Sequence, residues 1–150
     1  MKPPSGGIGP YDLLAPRQIV FGWGRRQEIG ERAKAFGHRV FLITGSRTLD
    51  ARDDLPSSDL QVIDAGTIHR EPQVEDVDQC VAAMLRHQPA KGDLVLGIGG
   101  GSALDLAKAV AAVAVQKHQA SVVEYLEGVG SGLTIDEPPL PLIAVPTTAG

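Results

Sequence analysis

The chain has 150 residues, 43% hydrophobic and 21% charged, with 18 glycines, 4% aromatics and a net charge of −4. This is the balance of one folded domain and not of a disordered segment. An acidic chain whose Lys and Arg are dispersed lacks the basic field that a nucleic-acid partner requires, and its few aromatic rings offer no stacking platform for single strands.

Residues 1–16 read as a flexible lead-in. Met1 to Pro10 holds three Pro and three Gly and no apolar core, so it does not resemble a secretory signal. Arg17 to Phe21 reads as a short strand ending in the turn Gly22-Trp23-Gly24. Arg25 to Phe36 follows as a helix with Ile29, Ala33 and Phe36 on one side and Gly37 as its stop. Arg39 to Thr44 is a buried strand, Ser46 to Asp54 a short helix or turn, and Leu60 to Ile63 a second strand. Pro72 to His87 is a helix, with the proline near its first turn where a missing N–H does no harm. Leu94 to Ile98 is a third strand, Ser102 to His118 a largely apolar helix, and Ser121 to Leu126 a short helix. A glycine-rich loop then runs to Gly132, and Leu140 to Val145 is a fourth strand. Strands that are continuous apolar runs, alternating with helices, specify an α/β layered domain: a mainly parallel sheet flanked by helices.

Cys80 is the only cysteine, so the chain builds neither an intrachain disulfide nor a cysteine zinc site. Its helical companions Val74, Val77, Val81, Met84 and Leu85 make it a small buried thiol. Four histidines, His38, His69, His87 and His118, follow no metal-ligand spacing. His87 and His118 are expected at helix C-termini, where partial positive charge is favourable. The longest apolar helical stretch, Ala103 to Val115, is interrupted by Asp105 and Lys108 and is too short to cross a bilayer. A soluble, cytoplasmic protein with no membrane partner is expected.

The strongest local feature is Gly97-Ile98-Gly99-Gly100-Gly101-Ser102, which leaves a strand and opens a helix. Glycines let the backbone turn sharply and approach a ligand closely. A helix start aims unpaired N–H groups and positive dipole at the same spot, and a pyrophosphate is its natural occupant. The spacing is neither G-x-G-x-x-G nor a Walker loop. On these residues alone, a tight turn that binds nothing remains open. One helical turn further on, Asp105 and Lys108 are either an ordinary surface pair or a polar stripe facing a crevice. Val145 ends a core strand, and Pro146-Thr147-Thr148-Ala149-Gly150 reads as the loop leaving the edge where parallel sheets bind ligands. The chain therefore reads as cut within its own site.

Gly99-Gly100-Gly101-Ser102-Ala103-Leu104-Asp105-Leu106-Ala107-Lys108 resembles the Gly-Gly-Gly-Ser-x-x-Asp-x-x-Lys signature of iron-containing alcohol dehydrogenases. Pro146 to Gly150 resembles the opening of that family's next loop. Tyr125 to Gly128 and Arg17 to Gly24 are similar to further family elements, the former being structural. The resemblance covers nearly the whole chain but less than half of the family's usual length. It implies that residues 17–150 are a Rossmann-like dinucleotide-binding domain, cut before the helical domain that holds metal and substrate. It implies further that Gly99, Gly100, Gly101 and Ser102 hold the cofactor pyrophosphate, and that Thr147 and Thr148 supply hydroxyls to phosphate and ribose. Asp105 would shape the nicotinamide end, with Lys108 beside it.

In the family an Asp often follows the first strand. Here Gly45 and Ser46, followed by Arg47, remove that carboxylate and favour NADP over NAD, with a site that accepts both as the alternative. Fe²⁺ or Zn²⁺ is implied only for the full-length enzyme, where it would polarise the oxygen of an alcohol or aldehyde substrate. No residue of this chain is catalytic or metal-binding on that reading, so the fragment is expected to be inactive. A homo-oligomer is implied, with Arg17 to Phe21 as an intersubunit edge. Ser102 separates the chain from the glycerol dehydrogenase and dehydroquinate synthase branches, which carry Lys and Val there. Maleylacetate reductases usually have Tyr after the two threonines, where this chain has Ala149, and they form the alternative. A second alternative is a non-catalytic nucleotide-binding or oligomerisation module.

Overall fold

A computed structural model describes residues 15–45, 55 and 59–148. A 3-10 turn at Arg25–Glu28 leads into helix α1 (Ile29–Lys34), then strand β1 (Arg39–Gly45) and strand β2 (Gln61–Ile68). Helix α2 (Val74–Leu85), strand β3 (Asp93–Gly99) and helix α3 (Gly101–Val113) follow. After a second 3-10 turn at Val122–Tyr125, strand β4 (Leu142–Pro146) closes the sheet.

The four strands lie in the order β2-β1-β3-β4, and every pairing is parallel. The expected α/β architecture is therefore present. Side-chain alternation sorts the core into two layers. Val40, Leu42, Leu94, Leu96 and Ile98 face α1 through Ile29 and Ala33, with Leu55 and Leu60 in the same layer. Phe41, Ile43 and Val95 face α2 and α3, which supply Val77, Cys80, Val81, Met84, Ala103, Leu106, Ala107 and Val110. Both faces of β3 are covered and all seven of its residues are buried, which explains its unbroken apolar run.

The chain steps from β1 outward to β2, then returns past β1 to β3. Right-handed crossovers require those two connections to lie on opposite faces. Leu55 is buried in one layer and α2 in the other, as the rule demands. The crevice of such a sheet opens at the C-terminal ends of β1 and β3, where the connections part.

At the other end of the strands, Arg39 fixes the bottom of the sheet. Its Nε and Nη2 donate to Asp93 Oδ1 and Oδ2 at 2.8 and 2.5 Å. Its Nη1 and Nη2 also donate to the carbonyls of His87 and Gln88 at 2.8 and 3.1 Å, just past the end of α2. The guanidinium lies over Phe41, 5.5 Å from the ring centre. Asp93 in turn accepts from the Ala90 amide at 2.7 Å, so the pair, with an Asp93 side chain only 8% exposed, is bound on all sides. That is the condition under which a buried ion pair is sustained.

Several local expectations need correction. Arg17 to Phe21 is not a strand: no described strand lies beside it to accept its hydrogen bonds, and Ile19, Phe21 and Trp23 are 78%, 94% and 103% exposed. The helix expected over Arg25 to Phe36 is a 3-10 turn followed by six α-helical residues, and Phe36 points outward. Gly37 is not a left-handed cap. It is glycine because a Cβ there would fall 1.7 Å from the Gly92 carbonyl oxygen. Strand β2 runs five residues beyond Ile63, to Ile68, paired with β1 across a register shift at Leu42/Ile43. Pro72 precedes the N-cap Gln73 and stands outside α2. Helix α3 ends at Val113, not His118, which lies beyond the last turn. The expected element from Ser46 to Asp54 lies outside the described residues.

Candidate functional site at the C-terminal edge of the sheet

Gly97 and Gly99 are glycines for reasons internal to the fold. A Cβ on Gly97 would stand 2.7 Å from Ala107 Cβ, and one on Gly99 would stand 2.7 Å from Ala103 Cβ and 3.0 Å from the Gly45 nitrogen. These two positions let α3 lie close on β3 and let the ends of β1 and β3 touch. Gly100 and Gly101 differ. A Cβ on Gly100 would meet only Thr148, at 3.6 Å, and one on Gly101 would meet nothing within 4 Å. Gly100 has φ −75° and ψ −174°, a conformation open to any residue. Nothing in the described structure requires glycine at either place.

Gly100 is the N-cap of α3 and Gly101 its first residue. The Ala103 and Leu104 amides bond back to the Gly100 carbonyl at 3.1 and 3.2 Å. The amides at the very start of the helix face outward, with its positive end. Thr147 is bound to the same turn, its amide donating to the Gly99 carbonyl at 2.9 Å, one step past the Gly99–Pro146 pairing. Thr147 and Thr148 are exposed at the edge, and Thr148 lies against Gly100. Three segments far apart in sequence, Gly45, Gly99 to Ser102, and Thr147-Thr148, thus meet at the crevice. A Cβ at Gly101 would project into open space at this edge.

Ser46, a candidate beside Gly45, lies outside the described residues, as do Arg47, Ala149 and Gly150. Asp105 and Lys108 pair with each other at 2.8 Å, and their side chains are 55% and 62% exposed. Among the described residues the hydrogen bond and ion pair of both side chains are with each other, and the surface-pair alternative describes their present geometry. One residue escaped the sequence reading: Ser102 Oγ donates to Glu71 Oε2 at 3.4 Å. No local motif marks Glu71, which lies 31 residues earlier and meets the site only because α2 and α3 start side by side.

No three His, Cys, Asp or Glu residues converge as a metal site among the described residues. The described residues do not fit the metal that the family resemblance implies for the full-length enzyme. Cys80 is buried, and burial first, then the nearby Asp76 charge, pushes its thiol up to about 11. It is packed against Gly66 and is no nucleophile. No helix among the described residues is long and apolar enough to cross a membrane.

The parallel sheet, its crevice and the glycine cradle define an α/β domain of the Rossmann-like kind. The model of the family described as iron-containing alcohol dehydrogenase matches residues 16–150, and the chain belongs to that family. It is 34% identical over 145 residues to long-chain-alcohol dehydrogenase 1 of Geobacillus thermodenitrificans, covering 92% of this chain and 35% of the relative. The crystal structure of NADH-dependent butanol dehydrogenase A from Thermotoga maritima superposes with a TM-score of 0.76 at 27% identity, covering 92% of this chain and 34% of that one. Sulfoacetaldehyde reductase from Bifidobacterium kashiwanohense, solved in complex with NAD⁺, gives 0.72 at 28% identity, covering 95% and 37%. The chain thus spans about a third of the length of the proteins it matches.

Proposed function

We propose that residues 17–150 form the dinucleotide-binding domain of an NAD(P)-dependent alcohol or aldehyde oxidoreductase. One observation carries the reading: Gly100 and Gly101 need no glycine for the fold, yet stand where β3 ends, a helix begins and Thr148 abuts. The free amides of the helix start and the Ser102 hydroxyl hold the pyrophosphate. Thr147 and Thr148 donate to phosphate and ribose oxygens. Asp105, paired with Lys108, borders the nicotinamide end. Gly45, with Ser46, borders the adenine ribose. With no carboxylate at Gly45 to repel a 2′-phosphate, NADP(H) binds more tightly than NAD(H).

When bound, the dinucleotide supplies the hydride-accepting carbon, and this chain's residues hold and orient it. Activation of the alcohol oxygen belongs to groups this chain does not provide, so residues 1–150 alone oxidise no alcohol. A homo-oligomeric state is part of the same reading, supported by the exposed Ile19, Phe21 and Trp23.

The test titrates NADPH and NADH, followed by nicotinamide fluorescence, into the chain and into Gly101→Val. The chain should bind both, NADPH more tightly. The variant should lose binding while its unfolding midpoint is kept, since a Cβ at this position meets no described atom within 4 Å beyond its own turn. Undiminished affinity in the variant would overturn the phosphate assignment. A tenfold preference for NADH would overturn the ribose assignment.

A further inference from the structure

We infer that Glu71 lowers and tunes the affinity of this site, its carboxylate competing with the cofactor phosphates for Ser102 and the start of α3. The inference rests on reading Gly100 to Ser102 as the phosphate site. Glu71 lies between the end of β2 and the N-cap Gln73 of α2. The N-termini of α2 and α3 open on the same edge, and there the carboxylate meets Ser102 Oγ at 3.4 Å. A hydroxyl bonded firmly to a carboxylate stands at about 2.5–2.7 Å. The contact is therefore close but loose, and the exposed side chain is free to leave it.

Among the described residues no ion pair cancels its charge. The adjacent Arg70 is occupied: its Nη1 and Nη2 donate to Asp76 at 2.7 and 3.0 Å, and Nη1 also donates to the Glu71 backbone oxygen at 3.0 Å. Asp76 itself is held by the Gln73 amide at 2.8 Å, so the Arg70 guanidinium is engaged by a fixed carboxylate. Among the described residues no cation pairs with that carboxylate. The carboxylate is a negative group resting beside a helix start, where negative charge is favoured. A pyrophosphate entering the cradle brings like charge to the same hydroxyl. The carboxylate must turn away, and it remains within a Debye length of the phosphates after doing so. Cofactor binding thus loses the Ser102 contact and gains a repulsion, and both favour release.

The experiment compares the chain with Glu71→Gln, which keeps the side-chain length and removes the charge. NADPH, NADH and inorganic pyrophosphate are titrated at low and high NaCl, with uncharged adenosine as a control. For the three charged ligands, Glu71→Gln should tighten binding by about three- to tenfold at low salt. That gain should shrink as salt rises, and adenosine should be unaffected. Binding by the variant alone would support both this inference and the dinucleotide reading. Unchanged affinity would overturn the inference and leave the dinucleotide reading standing. So would weaker binding, the sign that the carboxylate accepts a bond from a ribose hydroxyl. Failure of both proteins to bind either dinucleotide would overturn both.

Discussion

Gly97→Ala tests how tightly α3 is set on the sheet, and through it the position of the cradle. The added methyl would start 2.7 Å from Ala107 Cβ, where carbon atoms normally stand about 3.5–4.0 Å apart. Relief by side-chain rotation is impossible, because both groups are methyls fixed to backbone. The helix must lift by about 1 Å, the difference between those separations. Its underside has no slack: Ala103, Leu106, Ala107 and Val110 are at most 1% exposed. Overpacking of this kind costs about 1–3 kcal/mol. Ala107→Gly removes the opposing methyl but places a glycine inside a helix, at about 1 kcal/mol. In the double variant the methyl has merely changed sides, so its loss should fall short of the two single losses summed by about 1–2 kcal/mol. Urea unfolding of the four proteins measures that coupling. NADPH affinity should fall in Gly97→Ala and return in the double variant, because the glycine turn proposed to hold the phosphates rides on this end of the helix. Strictly additive losses would refute the claim that these two positions set the helix–sheet distance.

Arg39→Met should cost about 3 kcal/mol, because it strands the Asp93 carboxylate in the interior. Urea unfolding reads that loss, while NADPH affinity, at the opposite edge, should hold. Asp76 titrates below its usual value, chiefly through the Gln73 amide and then Arg70. Its stabilisation is therefore present above about pH 4, the unfolded value, and is lost as pH falls through the lower folded value, so Asp76→Asn should flatten the acid side of a plot of unfolding midpoint against pH. The Cys80 thiol, raised to about 11 from 9.0, stays protonated in the folded chain after it has ionised in the unfolded one. Stability should then decline between those two pH values and decline less in Cys80→Ala; below them, a thiol reagent should label the protein only once urea unfolds it.

What the sequence revealed followed from burial. Strand β3, covered on both faces, is a run of apolar residues that only a central strand explains, and the glycine turn follows directly from it. Strand β2 was half hidden because Asp64, Gly66 and Thr67 break its apolar pattern. The strand continues there because β1 supplies its hydrogen bonds, and because Gly66 makes room for Cys80, whose Sγ would lie 2.4 Å from a Cβ at that position. The segment from Arg17 to Phe21 erred the other way: β-branched and aromatic residues describe a strand, but a strand exists only beside a partner. At the site, three consecutive glycines and a serine were plain to see, but their division of labour was not. That Gly99 serves packing while Gly101 serves open space depends on Ala103 and Gly45, and that Glu71 belongs at the site depends on two helices starting together. None of these is a property of a local stretch of chain.

The bond from the Thr147 amide to the Gly99 carbonyl continues the β3–β4 ladder by one more step, from backbone to backbone. Side-chain replacement anywhere along β4 therefore leaves the two threonines opposite the glycine turn, provided a strand still forms. Length is less forgiving. One residue inserted or removed in Leu142–Pro146 would slide both hydroxyls by a full residue and turn them to the other face of the sheet. The geometry of the site is thus stored as a count of residues more than as their identity. Many substitutions in that strand leave it intact, and a single codon gained or lost there can erase it.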